Sequence, residues 1–251
     1  MYSPYDFNQS LAHRQEYVEE RLKGGSPVVG ISYDNGILLW TVKRTQRKLF
    51  EIYDQLMYGA IGNQADVEAV RLASIDFAHQ EGFSRSPDDV SVQRLVGFTL
   101  SPPLKRAFGD PMTTPNVMRA IFAEVGRSPE RDQFFVLNYD GEFTTHGQSA
   151  IIGGSDAAEE AMREELETQE GTPTLAQALE LAANVWRAGS RQRVEPRDDD
   201  DEDAPQSTLS DEDPLEEALK HGSIEAAVLE RNSPRESKFR LLSAGEMTMG
   251  R

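Results

Sequence analysis

The chain contains no cysteine, which excludes disulfides, thiolate metal sites and a cysteine nucleophile and fits a reducing compartment. No stretch approaches the roughly 18 consecutive apolar residues of a membrane span. The start, MYSPYDFNQS, has neither the basic opening nor the apolar run of a signal peptide. The expected location is therefore the cytoplasm, away from membranes. Basic stripes are also lacking: the formal charge is −17, and phosphate backbones need clustered Lys and Arg, so nucleic acid is not an expected partner. The histidines, His13, His79, His146 and His221, show no metal-ligand spacing and read as surface or packing residues, and neither GxSxG nor HExxH occurs. These residues nominate no metal, no cofactor and no conventional catalytic site.

What is present is enough for one large core, since 251 residues with 38% hydrophobic content suit a single domain. The negative charge is concentrated. Residues 195–217 contain twelve Asp or Glu and one Arg, carrying −11 of the −17 and leaving an ordinary −6 elsewhere. Such a tract buries too little apolar surface to offset the cost of ordering. Residues 190–213 accordingly read as a disordered acidic insertion, a solvated linker or else a segment that repels or recruits partners by charge.

Before it, SLAHRQEYVEERLKGG has Leu11, Val18 and Leu22 on one side of a first helix, with Gly24 and Gly25 to stop it. PVVGISY and ILLWTVK are two strands joined by Asp34-Asn35-Gly36, where Asn-Gly supplies the positive φ of a tight hairpin turn. QLMYGAIG reads as a buried strand, followed by a helix from Gln64 that Gly82 ends. A second helix runs from Asp88 or Asp89 to Leu100, where Pro102-Pro103 must end or kink it. Residues 116–125, QFFVLNY, EFTTHG and SAIIGG continue as strands. Gly153-Gly154-Ser155 then opens a helix to about Glu167, through a tight turn or, alternatively, a phosphate-binding one. Thr174 caps another helix, and IEAAVLE and KFRLL are the last strands. Strands, two helices, strands, two helices, strands is the order of an α+β fold built as a four-layer α-β-β-α sandwich. Its two stacked antiparallel sheets are flanked by helix pairs, with an N-terminal helix in front.

KGGSPVVGISYDNGILL, RKLFEIYDQLMYGAIGNQADVEAVR, NYDGEF, AIIGG leading into a helix, LAQALELAANVWRAGS and IEAAVLERNSPRESKFRLL together, in this order, resemble α subunits of actinobacterial-type proteasome core particles. The resemblance covers nearly the whole chain. It implies rings of seven α subunits stacked on seven-membered β rings in the order α-β-β-α, within a threonine-type endopeptidase complex of the N-terminal-nucleophile hydrolase superfamily. In that family the β subunit supplies the chemistry through an exposed N-terminal Thr, because a free α-amine beside a hydroxyl can take its proton. Ser26 matches that Thr here, but it lies behind 25 residues and before Pro27, so no catalytic residue is nominated and Ser26 reads as a strand-start or helix-end residue.

The resemblance places Lys48 in a pocket that receives the C-terminal carboxylate of a ring-shaped ATPase or other activator, with Gly25 and Gly62 lining it. On its residues alone, Lys48 is equally a member of the surface run Lys43, Arg44, Arg47, Lys48. Asn63 and Gln64 stand where archaeal members are more apolar. Residues 1–8 match the gate tail that blocks the pore, with Tyr2, Pro4, Tyr5, Asp6 and Phe7 as gate residues ahead of a single domain over 9–251; archaeal and eukaryotic members carry Tyr-Asp-Arg where this chain reads Tyr5-Asp6-Phe7. The final MTMGR lacks the hydrophobic-Tyr-any residue tail of activators, so the chain is expected to be the receiver. The expected partners are a β subunit, further copies of itself, the activator and protein substrates in transit. Two competing readings are an autonomous hydrolase maturing by cleavage before Ser26 and a self-assembling proteasome relative without a β partner.

Overall fold

The computed structural model describes residues 4–192 and 213–248. Two five-stranded antiparallel sheets form its centre. The first contains β1 (Val28–Tyr33), β2 (Gly36–Lys43), β8 (Ser149–Ile152), β9 (Ser223–Glu230) and β10 (Phe239–Leu241) in the order β10-β9-β2-β1-β8. The second runs in chain order through β3 (Leu49–Tyr53), β4 (Leu56–Gly62), β5 (Met118–Glu124), β6 (Gln133–Leu137) and β7 (Phe143–His146).

Side chains alternate across each strand, and that alternation builds the layers. In β2, Ile37 and Leu39 enter the core between the sheets, while Leu38, Trp40 and Val42 enter the core beneath the helices. In β5, Ile121 and Ala123 face inward, and Met118, Ala120 and Phe122 face the other helix layer. Helices α2 (Gln64–Ser84), α3 (Val92–Arg94) and α4 (Ser101–Gly109) cover the second sheet; α5 (Asp156–Leu166), α6 (Leu175–Arg191), α7 (Pro214–His221) and α8 (Ala244–Thr248) cover the first. The architecture is the four-layer sandwich expected. No helix among the described residues is long and apolar enough to cross a membrane.

Local details differ from the sequence reading for identifiable reasons. Only Gly36 of the β1–β2 turn has a positive φ, at 156°, and Asn35 does not; the turn is held by the Asp34 carboxylate, which accepts from the Asn35 N–H at 2.7 Å, and by Arg231, whose N–H donates to the Asn35 carbonyl at 2.8 Å. Gly82 does not end α2. A Cβ there would sit 2.3 Å from the Tyr53 hydroxyl, so this glycine lets the helix pass close to β3. Pro102 and Pro103 do not end the helical run either. A π-helical stretch over Leu95–Leu100 shifts the ladder, with Ser101 N–H bonding Val96 O, and the prolines fall in the first turn of α4, where no intrahelical donor is needed. Unforeseen elements are the edge strand β3, the short α8, and α7, whose N-cap Asp213 also binds Arg187 at 3.0 Å. The rest of the acidic insertion, 193–212, lies outside the described residues.

Helix α1 (Pro4–Leu22) starts four residues before Asn8 rather than after a tail, because proline in the first turn gives up no helical hydrogen bond. Pro4, Tyr5, Asp6 and Phe7 are thus helical, and Met1 and Tyr2 lie outside the described residues. Arg14 fastens α1 to the end of α4 by donating to the carbonyls of Ala107 (2.9 Å), Phe108 (2.9 Å) and Thr113 (2.7 Å). These acceptors include last-turn carbonyls that a helix leaves unpaired.

At the far end of β1, Asp132 forms a buried clamp. Its Oδ1 accepts from Arg231 Nη1 (2.8 Å) and the Gly126 N–H (2.9 Å), and its Oδ2 from Arg231 Nη2 (2.9 Å) and Ser32 Oγ (2.5 Å). One carboxylate thereby joins β1, the β5–β6 loop and the segment after β9.

Candidate functional site

The site is built where α1 hands over to β1. The Gly25 N–H donates to Leu22 O at 2.7 Å, and a Cβ at Gly25 would lie 2.9 Å from that oxygen and 3.3 Å from Ile61 Cβ. Only glycine lets this turn press against the end of β4. Gly62, the last residue of β4, has φ 124°, and a Cβ on it would meet Val117 O at 2.1 Å. Immediately after it, the Asn63 side chain caps α2 by accepting from the Ala65 N–H at 2.9 Å, and the Asn63 N–H donates to Val117 O at 2.7 Å.

Lys48 reaches this corner from the β2–β3 crossover. Its Nζ donates to the Ser26 carbonyl at 2.9 Å, and its backbone N–H donates to Glu225 Oε2 at 2.8 Å. Lys48, Gly25 and Gly62, named from sequence, therefore share one corner of the molecule. Glu225 was not foreseen. It is 4% exposed, with Arg47 Nε at 3.3 Å and Lys43 Nζ at 4.0 Å from its Oε1. The available signal was an acid, Glu225, set inside the apolar run IEAAVL. An ammonium held at the Ser26 carbonyl is chemically suited to pairing with a carboxylate.

Ser26 is committed to structure. Its hydroxyl donates to Val42 O at 2.7 Å and accepts from Trp186 Nε1 at 3.1 Å, while Trp186 packs edge-on to Trp40 at 6.0 Å between ring centres. In front of it, Val18 and Leu22 of α1 are fully buried in the core between the sheets.

Residues 22–195 match the family model for the proteasome subunit. The chain belongs to the proteasome subunit family. It is 32% identical over 236 residues to a proteasome subunit alpha of Actinosynnema mirum, covering 93% of this chain and 81% of that one. A proteasome subunit alpha of Xylanimonas cellulosilytica is 31% identical (97% and 92% covered), and one of Streptomyces coelicolor 27% (96% and 85%).

In this proteasome subunit the nitrogen of Ser26 is an amide in mid-chain, so the amine-and-hydroxyl pair of an N-terminal nucleophile is not assembled. The Gly153 N–H of the turn before α5 is taken by Glu159 Oε1 at 2.9 Å, and Ser155 caps the helix through Ala158 N–H, which favours the tight-turn reading over the phosphate one. His13 lies on α1, His79 packs edge-on to Tyr53, His146 bonds Thr144 on β7 at 2.9 Å and His221 ends α7. Although His146 is on an exposed strand, partial desolvation, with Arg163 nearby, holds it below its ordinary pKa. No group of three or more His, Asp or Glu among the described residues is placed to hold a metal.

Ser26→Ala is expected to leave the peptidase activity of any assembly containing this subunit unchanged while lowering stability. The buried Trp186 N–H loses its acceptor, a cost of about 1–3 kcal/mol. Each kcal/mol corresponds to about 2–4 °C in melting temperature for a chain of this size. Thermal unfolding and peptide hydrolysis of the same preparation check both halves; a loss of hydrolysis with retained assembly would give Ser26 a chemical role.

Proposed function

We propose that this chain is a non-catalytic α-ring subunit of a bacterial, cytoplasmic proteasome core particle, which scaffolds a β ring, gates substrate entry through its N-terminal segment and receives activator tails at Lys48. The observation that carries the reading is α1. Val18 and Leu22 fill core space in front of Ser26, and burying two such side chains contributes roughly 3–6 kcal/mol. Removing residues 1–25, as an autonomous hydrolase would require, costs that packing. The relatives' designation as α subunits supports the same assignment. Intact mass tests it: the mature protein retains residues 1–25, forms a ring, and shows peptidase activity only with a β subunit. Loss of those residues together with activity of the chain alone would establish the hydrolase instead.

Docking at Lys48 has its own test. Lys48 is partly buried, so its pairing with a carboxylate stays below the roughly 2–5 kcal/mol of a fully desolvated pair. Lys48→Ala is expected to weaken binding of a carboxylate-ended activator tail about tenfold, equal to about 1.4 kcal/mol. Ring assembly and hydrolysis of very small peptides stay intact. Unchanged tail affinity would remove Lys48 from docking.

A further inference from the structure

The β2–β3 crossover carries Lys43, Arg44, Arg47 and Lys48 within six residues, and without an anchor such a run would spread its like charges into solvent. Glu225 supplies the anchor. It sits on β9 opposite Thr41 of β2, 4% exposed, and both of its oxygens are used by this crossover. Oε1 faces Arg47 and Lys43, whereas Oε2 takes the Lys48 N–H itself. A buried carboxylate is retained only where donors satisfy it, and here the donors belong to the segment that carries Lys48. Arg47 is fixed a second time, by donating to Leu49 O at 3.1 Å and by lying over the Phe50 ring at 5.3 Å.

We infer that Glu225 is the positioning residue for Lys48: by clamping the Lys48 backbone N–H and holding Arg47 aside, it sets the Lys48 ammonium at the Ser26 carbonyl, where a partner's terminal carboxylate can meet it. This rests on the docking role proposed for Lys48. Two of the neighbouring cations, Lys43 and Arg47, are meanwhile directed at Glu225.

The test uses the full chain in its native assembly and a short synthetic peptide ending in Leu-Tyr-Leu with a free carboxylate, read by fluorescence anisotropy against the same peptide as its C-terminal amide. Glu225→Ala weakens the carboxylate peptide about as much as Lys48→Ala does, roughly tenfold, and the double variant is no weaker than Lys48→Ala alone. Glu225→Gln keeps an oxygen for the Lys48 N–H, and Arg47, 45% exposed, can turn to water; this variant recovers affinity to within about twofold of the parent. Neither change affects the amide peptide. In parallel, acetylation of Lys48 relative to Lys23, followed by mass spectrometry, rises several-fold in Glu225→Ala and not in Glu225→Gln. If Glu225→Ala binds like the parent, if its loss adds to that of Lys48→Ala, or if the Gln variant is as weak as Ala, Glu225 does not position Lys48. If Glu225→Ala fails to assemble, the Gln variant and its Lys48 labelling decide: parent-like values support the assignment, and lost affinity with raised labelling overturns it. A Lys48→Ala variant that binds the peptide normally overturns the docking role itself, a result distinct from every failure of Glu225 alone.

Discussion

Removing residues 2–8 should raise degradation of unfolded protein by the assembled particle several-fold with no activator present. Hydrolysis of very small peptides should rise less, because these can pass a partly closed pore. The deletion takes the first turn of α1 with Tyr5, Asp6 and Phe7 but leaves the anchors of the remaining helix: Arg14 on the end of α4, Val18 and Leu22 in the core, and Glu19 accepting from the Tyr139 hydroxyl at 3.1 Å. The deletion is therefore expected to spare folding and, if these residues form the proposed gate, to remove closure. Apolar and aromatic residues converging from several copies would bury surface worth roughly 25 cal/mol per Å². That is enough to favour a closed state by only a few kcal/mol, which differential binding of an activator can reverse. Native mass establishes that the truncated ring assembles. Degradation of an unfolded protein at the intact-chain rate would then mean that these residues do not close the pore.

Asp132→Ala should cause the largest loss of stability among single substitutions considered for this chain, about 3–5 kcal/mol, against the roughly 5–15 kcal/mol that holds a typical domain together. The reason is the charge left behind. Arg231 is 8% exposed, and without Asp132 its guanidinium keeps the Gly126 carbonyl at 2.5 Å as acceptor but loses its counter-charge. Ser32 Oγ and the Gly126 N–H lose an acceptor at the same time. Pairing Asp132→Ala with Arg231→Met should recover most of the loss, since the unpaired buried charge disappears with it. Urea midpoints at fixed protein concentration and assembly state measure both variants. A double variant as unstable as the single one would show that the bonds to Ser32 and Gly126, rather than the charge, carry the cost.

Legibility of the fold followed the strength of the local signal. The hairpin of β1 and β2 was readable because two β-rich runs flank a turn tripeptide, and α6 because Thr174 and Gln177 form a capping box in which each side chain meets the other's backbone. β3 was hidden because it is a sheet edge whose middle residue, Glu51, points outward and breaks the apolar pattern. α7 was hidden because its first residues continue the acidic composition, although Asp213-Pro214 is a capped helix start. The prolines of α4 misled because their cost depends on where the hydrogen-bond ladder begins, which a π stretch upstream had moved. At the candidate site, Lys48, Gly25 and Gly62 were nominated through family resemblance, and the structure brings them to one corner. Glu225 was not nominated, because it lies 177 residues from the amide it binds, and nothing local to either residue announces the other.

The pairing of β2 with β9 also governs how this chain can be made. Leu38 meets Val228 in the finished sheet, so on a ribosome adding about 5–20 residues per second, β2 waits roughly 10–40 s for its neighbour. During that interval its outer edge offers unpaired N–H and C=O groups on a strand of Ile, Leu, Trp and Val. The second sheet has a shorter delay: its most widely separated partners lie on β4 and β5, where Met57 meets Ala123, a wait of roughly 3–13 s at the same rate. It can close while the first remains half-built, and β9 and β10 complete the first sheet as late-arriving strands. A nascent chain stalled beyond β8 thus exposes a sticky half-sheet, which makes the interval before β9 emerges the period of greatest need for a chaperone.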